Sequence, residues 1–332
     1  MKTCLTFCLL LMAACMDDLP ADDIYVSCLT NKSVVRLSGE KASTFATSEV
    51  MILGMAADRS GNIYLSDTAR NTIFEYKAVN GVLSDTPVVF ASNLHGPMNL
   101  AFDPQGNLYE IESTDVINRF KYSKGHLSSE PGLFIDPSPD HANLKENRQP
   151  CYLAFDRRGN LYVSISIGGI LKFSRSSSGL SKMPDKRPFS TVSRARQMAF
   201  DGKGNLFTAN HLAGEICVYK FPNSDAGLSG TPEIFATGNG LDAPAGVGFD
   251  SEGNLYITNW GYNSGSDVLK YPNTDGVLSH TPVIWGPKFL CPILVWCEKP
   301  PPLPVPPKPK VYPQVQVPPP ATPLTQPAQF YD

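Results

Sequence analysis

Apolar residues in the central part of the chain come in short runs separated by polar turns, and the same order of runs recurs. The clearest unit is an apolar run, then Asp-x-x-Gly-Asn, then a second apolar run containing an aromatic residue. It reads MAADRSGNIY ending at Tyr64, LAFDPQGNLY at Tyr109, LAFDRRGNLY at Tyr162, MAFDGKGNLF at Phe207 and VGFDSEGNLY at Tyr256. The Gly-Asn pairs begin at 61, 106, 159, 204 and 253, spaced by 45, 53, 45 and 49 residues. A truncated copy, Asp23-Ile24-Tyr25-Val26, stands upstream of the first full one. Periods of this size mark stacked supersecondary units, and β-type content makes each unit a propeller blade.

Each copy predicts four strands. The first is the apolar run before the Asp, and Asp-x-x-Gly is a tight turn, with Asp capping the backbone and Gly accepting positive φ. A second strand (LYVSIS, LFTAN, LYITN) and a third (TIFEYK, GILKFS, EICVYKF, DVLKY) follow. A Gly-x-Leu-Ser loop leads to the fourth (PVVFA, GLFI, PEIFAT, PVIW). A calcium loop would need carboxylates at alternate positions, where these copies carry Ser, Arg, Gln, Lys or Glu, so the element is read as a turn. The truncated copy lacks its first strand, which Cys291-Pro-Ile-Leu-Val-Trp296 can supply. The expected fold is therefore all-β: a six-bladed propeller of four-stranded antiparallel blades over 23–297, closed as a ring by that C-terminal strand. Antiparallel pairing across the turn predicts Met98 opposite Glu112 and Cys151 opposite Ile165. By that register Cys291 faces Cys28, within reach of a disulfide, with Cys297 as the alternative partner of Cys291.

The two ends differ from this pattern. Lys2 and the apolar run Leu5–Ala14 have the form of a signal peptide over 1–14, followed by an acidic linker over 15–22. Leu11-Met12-Ala13-Ala14-Cys15 also has the look of a lipobox, making Cys15 a candidate for lipidation. Residues 300–332 hold 13 prolines in 33 positions without apolar periodicity, so 298–332 is expected to be a disordered, polyproline-like tail. The chain is expected outside the cytoplasm, secreted or lipid-anchored, with no other membrane contact. With 28 basic and 31 acidic side chains among 332 residues, net charge −3, it lacks the basic surface that nucleic acid demands. A monomer is expected, with a protein, small-molecule or carbohydrate ligand at the propeller face.

The motif Pro-x-Gly-hydrophobic-Ala-Phe-Asp-x-x-Gly-Asn-Leu-Tyr-Val followed by Ile-x-Lys-Tyr resembles the NHL repeat. More widely, it resembles the six-bladed superfamily that includes gluconolactonase- and regucalcin-like hydrolases, over about 275 of 332 residues. The resemblance implies the fold; for activity it implies either a binding or scaffold module or a metal-dependent lactonase-like hydrolase or lyase. In the resembling lactonases a glutamate, asparagines and an aspartate hold one divalent metal. Here the residues three after the strand-two aromatic are Cys28, Asp67, Glu112, Ile165, Asn210 and Asn259. Asp67, Glu112, Asn210 and Asn259 are thus the candidate metal ligands, and their hard oxygens suit calcium. Four residues before the turn Asp stand Gly54, Asn99, Tyr152, Gln197 and Gly246. Asn99, Tyr152, Gln197, Asn210, His211, Asn259 and Trp260 are the candidate ligand-binding residues at the channel mouth. The lactonase Glu-Gly-Pro is missing near the start, and Ser138-Pro139-Asp140 lies in an insertion between repeats. No catalytic motif of another class is present. The reading is an exported binding or scaffold module, with the calcium-dependent hydrolase or lyase as its alternative.

Overall fold

The computed structural model describes residues 23–28, 32–38, 41–47, 52–80, 82–135, 150–166, 168–212, 215–260, 267–285 and 292–297. The leader, Cys15, Cys291 and the proline-rich tail lie outside the described residues. All regular elements among them are β-strands, grouped into six antiparallel blades.

Blade 1 is Asp23–Cys28, Ser33–Ser38 and Lys41–Thr47, with Pro292–Cys297 as its innermost strand. The C-terminal strand therefore closes the ring. Blade 2 is Ile52–Ala57, Ile63–Asp67, Thr72–Tyr76 and Val88–Ala91; blade 3 is Pro97–Phe102, Leu108–Glu112, Ile117–Ser123 and His126–Ile135. Blade 4 comprises Pro150–Phe155, Leu161–Ile165 and Gly169–Phe173. Blade 5 is Met198–Phe200, Leu206–Leu212, Glu215–Phe221 and Glu233–Thr237, and blade 6 is Pro244–Phe249, Leu255–Asn259, Val268–Tyr271 and Val283–Ile284.

Blades cohere because alternate side chains enter wedges on either side. Six apolar clusters fill the six wedges. The aromatic of each motif anchors one of them. Tyr64 packs edge-on against Phe90 of its own blade and Phe102 of the next, at 5.1 and 5.3 Å between centroids. Tyr109, Tyr162 and Phe207 repeat this arrangement with Phe155, Phe200 and Phe249 of the following blades. Each such pair contributes on the order of 0.5–1.5 kcal/mol beyond area burial.

The Asp-x-x-Gly-Asn motif folds as a hydrogen-bonded knot. In blade 6, Asp250 Oδ1 accepts the Glu252 and Asn254 backbone N–H groups at 3.0 and 2.8 Å. Its Oδ2 accepts Asn254 Nδ2 at 2.7 Å and the Tyr256 hydroxyl at 3.0 Å. Asn254 Oδ1 then takes the Asn273 N–H at 2.8 Å, tying the turn to the start of the next hairpin. Gly253 closes the turn at φ 81°, a conformation that suits glycine. The same knot recurs around Asp58, Asp103, Asp156 and Asp201.

Three details differ from the sequence expectation. Blade 4 has three strands, its fourth reduced to one bridge between Ile170 and Ser190. Pro184 and Pro188 precede that bridge, and proline cannot donate to a ladder. The Gly-x-Leu-Ser loops of blades 2, 4, 5 and 6 form miniature hairpins of their own. Finally, the inner register is displaced by one: Pro97 faces Glu112 and Pro150 faces Ile165, because the inner strands of blades 1, 2, 3, 4 and 6 carry a register shift. Pro292 likewise faces Cys28, so the closing strand aligns on its proline rather than on Cys291.

Candidate functional site at the channel mouth

The bulges determine what the mouth presents. Pairing runs Ile52↔Asp67 then Gly54↔Ser66, Pro150↔Ile165 then Tyr152↔Ser164, and Pro244↔Asn259 then Gly246↔Thr258. One residue is therefore extra at the mouth end of these inner strands, and a bulge re-aims that residue. The residues five before the turn Asp are Leu53, Met98, Cys151, Arg196 and Ala245. Innermost strands of neighbouring blades contact one another, which sets these residues side by side as a collar. Leu53, Met98, Cys151 and Arg196 are half-buried and Ala245 is buried. Sequence reasoning missed this collar. Its available signal is the proline one residue upstream at 97, 150 and 244.

Residues one step further along stitch the ring. Asn99 Oδ1 accepts the Leu153 N–H of the next blade at 2.9 Å, and Gln197 Oε1 accepts that of Val247 at 3.1 Å. At Gly54 any Cβ would sit 2.0 Å from the Met98 carbonyl oxygen, so only glycine lets blades 2 and 3 approach this closely. Tyr152 instead hydrogen-bonds with the Arg196 side chain, and burial raises the Tyr152 phenol so that it stays protonated.

The strand-two residues mostly cap turns. Asp67 is buried and its Oδ1 accepts the Arg70 N–H at 2.9 Å, with Arg70 Nη1 3.4 Å from Oδ2. Glu112 Oε1 accepts the His95 N–H at 3.1 Å, and Oε2 the Thr114 hydroxyl at 3.0 Å. Asn259 is fully buried; it accepts the Asp242 N–H at 3.1 Å and donates to the Gly240 carbonyl at 2.7 Å. Asn210 is buried on the same rung of blade 5. The His211 side chain lies outside the described residues. Among the described residues, no group of three or more His, Cys, Asp and Glu is placed to hold a metal ion.

Arg196 and Trp260 come together. The Arg196 guanidinium carbon lies 5.2 Å from the centre of the Trp260 ring, a cation–π distance. The Trp260 backbone N–H donates to the Ala243 carbonyl at 2.9 Å, and the Arg196 backbone N–H to the Ala209 carbonyl at 2.9 Å. Burial raises the Cys151 thiol, with Arg196 opposing and Asp115 reinforcing the shift, so the sulfur stands there as a protonated, soft apolar group. Arg196, Trp260, Tyr152 and Cys151 thus form a half-exposed cluster at one side of the mouth.

One wedge holds an unusual acid. Glu110 is fully buried in blade 3; its Oε2 accepts Asn118 Nδ2 at 3.1 Å and its Oε1 has no partner. Burial, chiefly, pushes its carboxyl up to about 8; Asn118 opposes this and Glu112 adds to it.

No protein-family model matches the chain, and no curated protein is similar to it in sequence. Solved structures are. A gluconolactonase from Xanthomonas campestris is 17% identical with a TM-score of 0.50, over 82% of this chain and 88% of that one. A virginiamycin B lyase from Staphylococcus aureus is 12% identical with a TM-score of 0.50, over 81% and 86%. A protein of unknown function from Bacteroides caccae is 13% identical with a TM-score of 0.57, over 83% and 98%. Identities this low speak for architecture alone, and on that the geometry and the likenesses agree: this chain is a six-bladed β-propeller.

Proposed function

We propose that the protein is an exported propeller acting as a binding module, taking a small ligand at its channel mouth. The observation that carries this is the use of the oxygens at the mouth. Asn99, Gln197, Asp67, Glu112 and Asn259 direct theirs to backbone N–H groups of turns and neighbouring blades. Freeing them for a cation would unpair buried donors, at about 1–3 kcal/mol each. What the mouth offers a ligand instead is an apolar collar with a few polar groups, a common composition for small-molecule sites. Export rests on the leader, and the proline content suits the tail to an extended spacer; Cys15 would add a lipid anchor.

The alternative is a calcium-dependent hydrolase, the activity of the Xanthomonas neighbour being named as a gluconolactonase. Thermal melting with and without millimolar calcium, followed by a lactone-hydrolysis assay, separates the two. The binding-module reading expects an unchanged melting curve and no turnover. A calcium-dependent rise, which would reach about 2.7 kcal/mol at a hundredfold excess over Kd, together with lactone cleavage, would give the hydrolase the better claim.

A further inference from the structure

We propose that the groove between blades 5 and 6, at the turn end of the ring, is a docking site for the start of this chain's own proline-rich tail, residues 298–310. The groove lies at the end opposite the channel mouth, so the proposal goes beyond the binding-module reading and does not depend on it.

A break in the repeat marks the groove. The second residue of the Asp-x-x-Gly turn reaches the next blade in two places: Arg59 bonds to the Pro104 carbonyl, and Arg157 Nη2 to the Gly202 carbonyl at 2.6 Å. Between blades 3 and 4 the crossing is made by Arg175 on Asp103. Blade 5 has Gly202 at the strap position and so no side chain to cross with. The residues over the turn glycines shrink in the same way: Tyr122 lies over Gly106 and Arg175 over Gly159, but Asn223 and Asn273 over Gly204 and Gly253. A groove of about 600 Å³ is left between the two blades, bridged by Lys203 Nζ on the Gly276 carbonyl at 2.7 Å. Phe235 lines it, with the His280 ring 4.9 Å away, and each blade adds one large apolar side chain left in water, Ile234 at 62% and Val277 at 69% exposure.

The point where the chain leaves the ring identifies the occupant. Pro292 faces Cys28 as Pro244 faces Asn259, and Cys297 pairs with Ile24. The closing strand therefore ends at the turn end, beside the inner strand of blade 6. That strand runs into the turn whose Ser251, Glu252 and Gly253 line the groove. Residue 298 thus starts next to the groove. At 3.1 Å per residue in the polyproline II form, residues 298–310 reach about 40 Å, whereas four strands about 4.8 Å apart make a blade only about 15 Å across.

The composition of the segment suits the groove. Seven of its 13 residues are proline, with Leu303 and Val305 among them, and proline-rich segments bring a preformed, low-entropy helix to apolar grooves. It carries Lys299, Lys308 and Lys310 against Glu298. Outside the knots, the turn end of blades 5 and 6 carries Lys203 and Lys220 against Asp225, Glu233, Glu252 and Asp275. Glu233 lies 3.9 Å from Lys220, and Glu252 accepts Asn254 Nδ2 at 3.2 Å, so the attraction is one of opposite net charge and not of vacant acceptors.

Trypsin cuts after lysine and poorly before proline, so Lys310–Val311 is the one good site in the tail. Its cleavage would be followed by mass spectrometry in the full chain without its leader, against a free peptide spanning 298–320. Docking favoured about two- to threefold slows this cut by a similar factor and adds little to stability, so cleavage and not melting is the readout. Ile234→Ser with Val277→Ser is expected to bring the rate back to that of the free peptide. Gly202→Arg, which restores the strap of blades 2 and 4 and fills the groove, is expected to do the same with the melting temperature kept or raised. Circular dichroism checks the folding of each variant. A wild-type rate equal to that of the free peptide overturns the proposal, and protection that survives in both variants overturns the groove as its site. Protection that grows with protein concentration makes the occupant the tail of a second copy and overturns docking within one chain.

Discussion

The two ends of the ring are built from the same six blades, yet they follow different rules. At the turn end, five blades repeat one device, in which an Asp carboxylate gathers backbone N–H groups, an Asn amide and usually a Tyr hydroxyl. Straps from neighbouring blades reinforce it. Arg175 Nη2 reaches Asp103 Oδ2 at 2.9 Å, Arg157 Nη2 reaches the Gly202 carbonyl at 2.6 Å, and Arg59 bonds to the Pro104 carbonyl. At the mouth end the equivalent positions hold Cys28, Asp67, Glu112, Ile165, Asn210 and Asn259, and the collar differs from blade to blade. Repetition at one end fixes geometry; variation at the other leaves chemistry to individual residues. A scaffold can afford the second only because of the first.

The largest expected effect comes from breaking the ring itself. Deleting residues 292–332 removes the strand paired to Asp23–Cys28 and exposes an inner edge, so cooperative unfolding should be lost or its midpoint fall steeply. Deleting only 298–332 should leave the melting temperature within about a degree, as expected of a proline-rich segment without apolar periodicity. Equal stability of the two truncations in differential scanning calorimetry would refute closure by the C-terminal strand.

Next in size is a direct comparison of the two ends. Asp250→Ala strands several buried donors at once, among them Asn254, which is 3% exposed. It should cost about 3–5 kcal/mol, the range for breaking a buried charged network by removing one partner. Asp67→Ala at the mouth removes a single-turn cap beside a half-exposed Arg70 and should cost about 1–2 kcal/mol. Urea denaturation of both variants measures the ratio. If Asp67→Ala proves as costly as Asp250→Ala, the mouth is as structural as the turn end and the contrast fails.

That contrast also explains what the sequence makes legible. The Asp58, Asp103, Asp156, Asp201 and Asp250 turns are local: apart from the strap from Arg175 to Asp103, the knot partners lie within a few residues or on the next hairpin, so spacing alone reveals them. The repeat then dictates blades, and the strand-two aromatics dictate the wedges. At the mouth the decisive interactions are long-range. Asn99 pairs with Leu153 and Gln197 with Val247, about fifty residues away, and no local pattern distinguishes such a stitch from a ligand contact. The bulge hides the collar for a similar reason. One inserted residue flips every side chain beyond it to the other face, so counting back from the turn selects the stitching residue Asn99 instead of Met98. Only Pro97, Pro150 and Pro244 hint at the break.

The last contrast concerns the one wedge where blade 3 departs from its neighbours. Directly paired positions carry Leu65 with Phe74, Val163 with Leu171, and Ile257 with Leu269, whereas blade 3 carries Glu110 with Asn118. Burial raises the Glu110 carboxyl from the usual 4.5 to about 8. Below pH 4.5 the group is protonated in folded and unfolded chains alike and carries no penalty. Between 4.5 and 8 the unfolded chain releases the proton while the folded one keeps it, so stability falls as pH rises, by up to about 1.4 kcal/mol per pH unit. Above 8 both forms are ionised and the full penalty stands. Glu110→Gln keeps an acceptor for Asn118 and is expected to flatten this part of the stability–pH curve and to stabilise the protein at pH 8. Glu110→Val with Asn118→Leu rebuilds the apolar pair of blade 4 and should do the same without leaving a buried amide unpaired. Denaturant midpoints between pH 5 and pH 8.5 measure the slope. A wild-type slope that survives in both variants would place the pH dependence elsewhere, and would make the Glu110–Asn118 pair as neutral to stability as the apolar pairs it replaces.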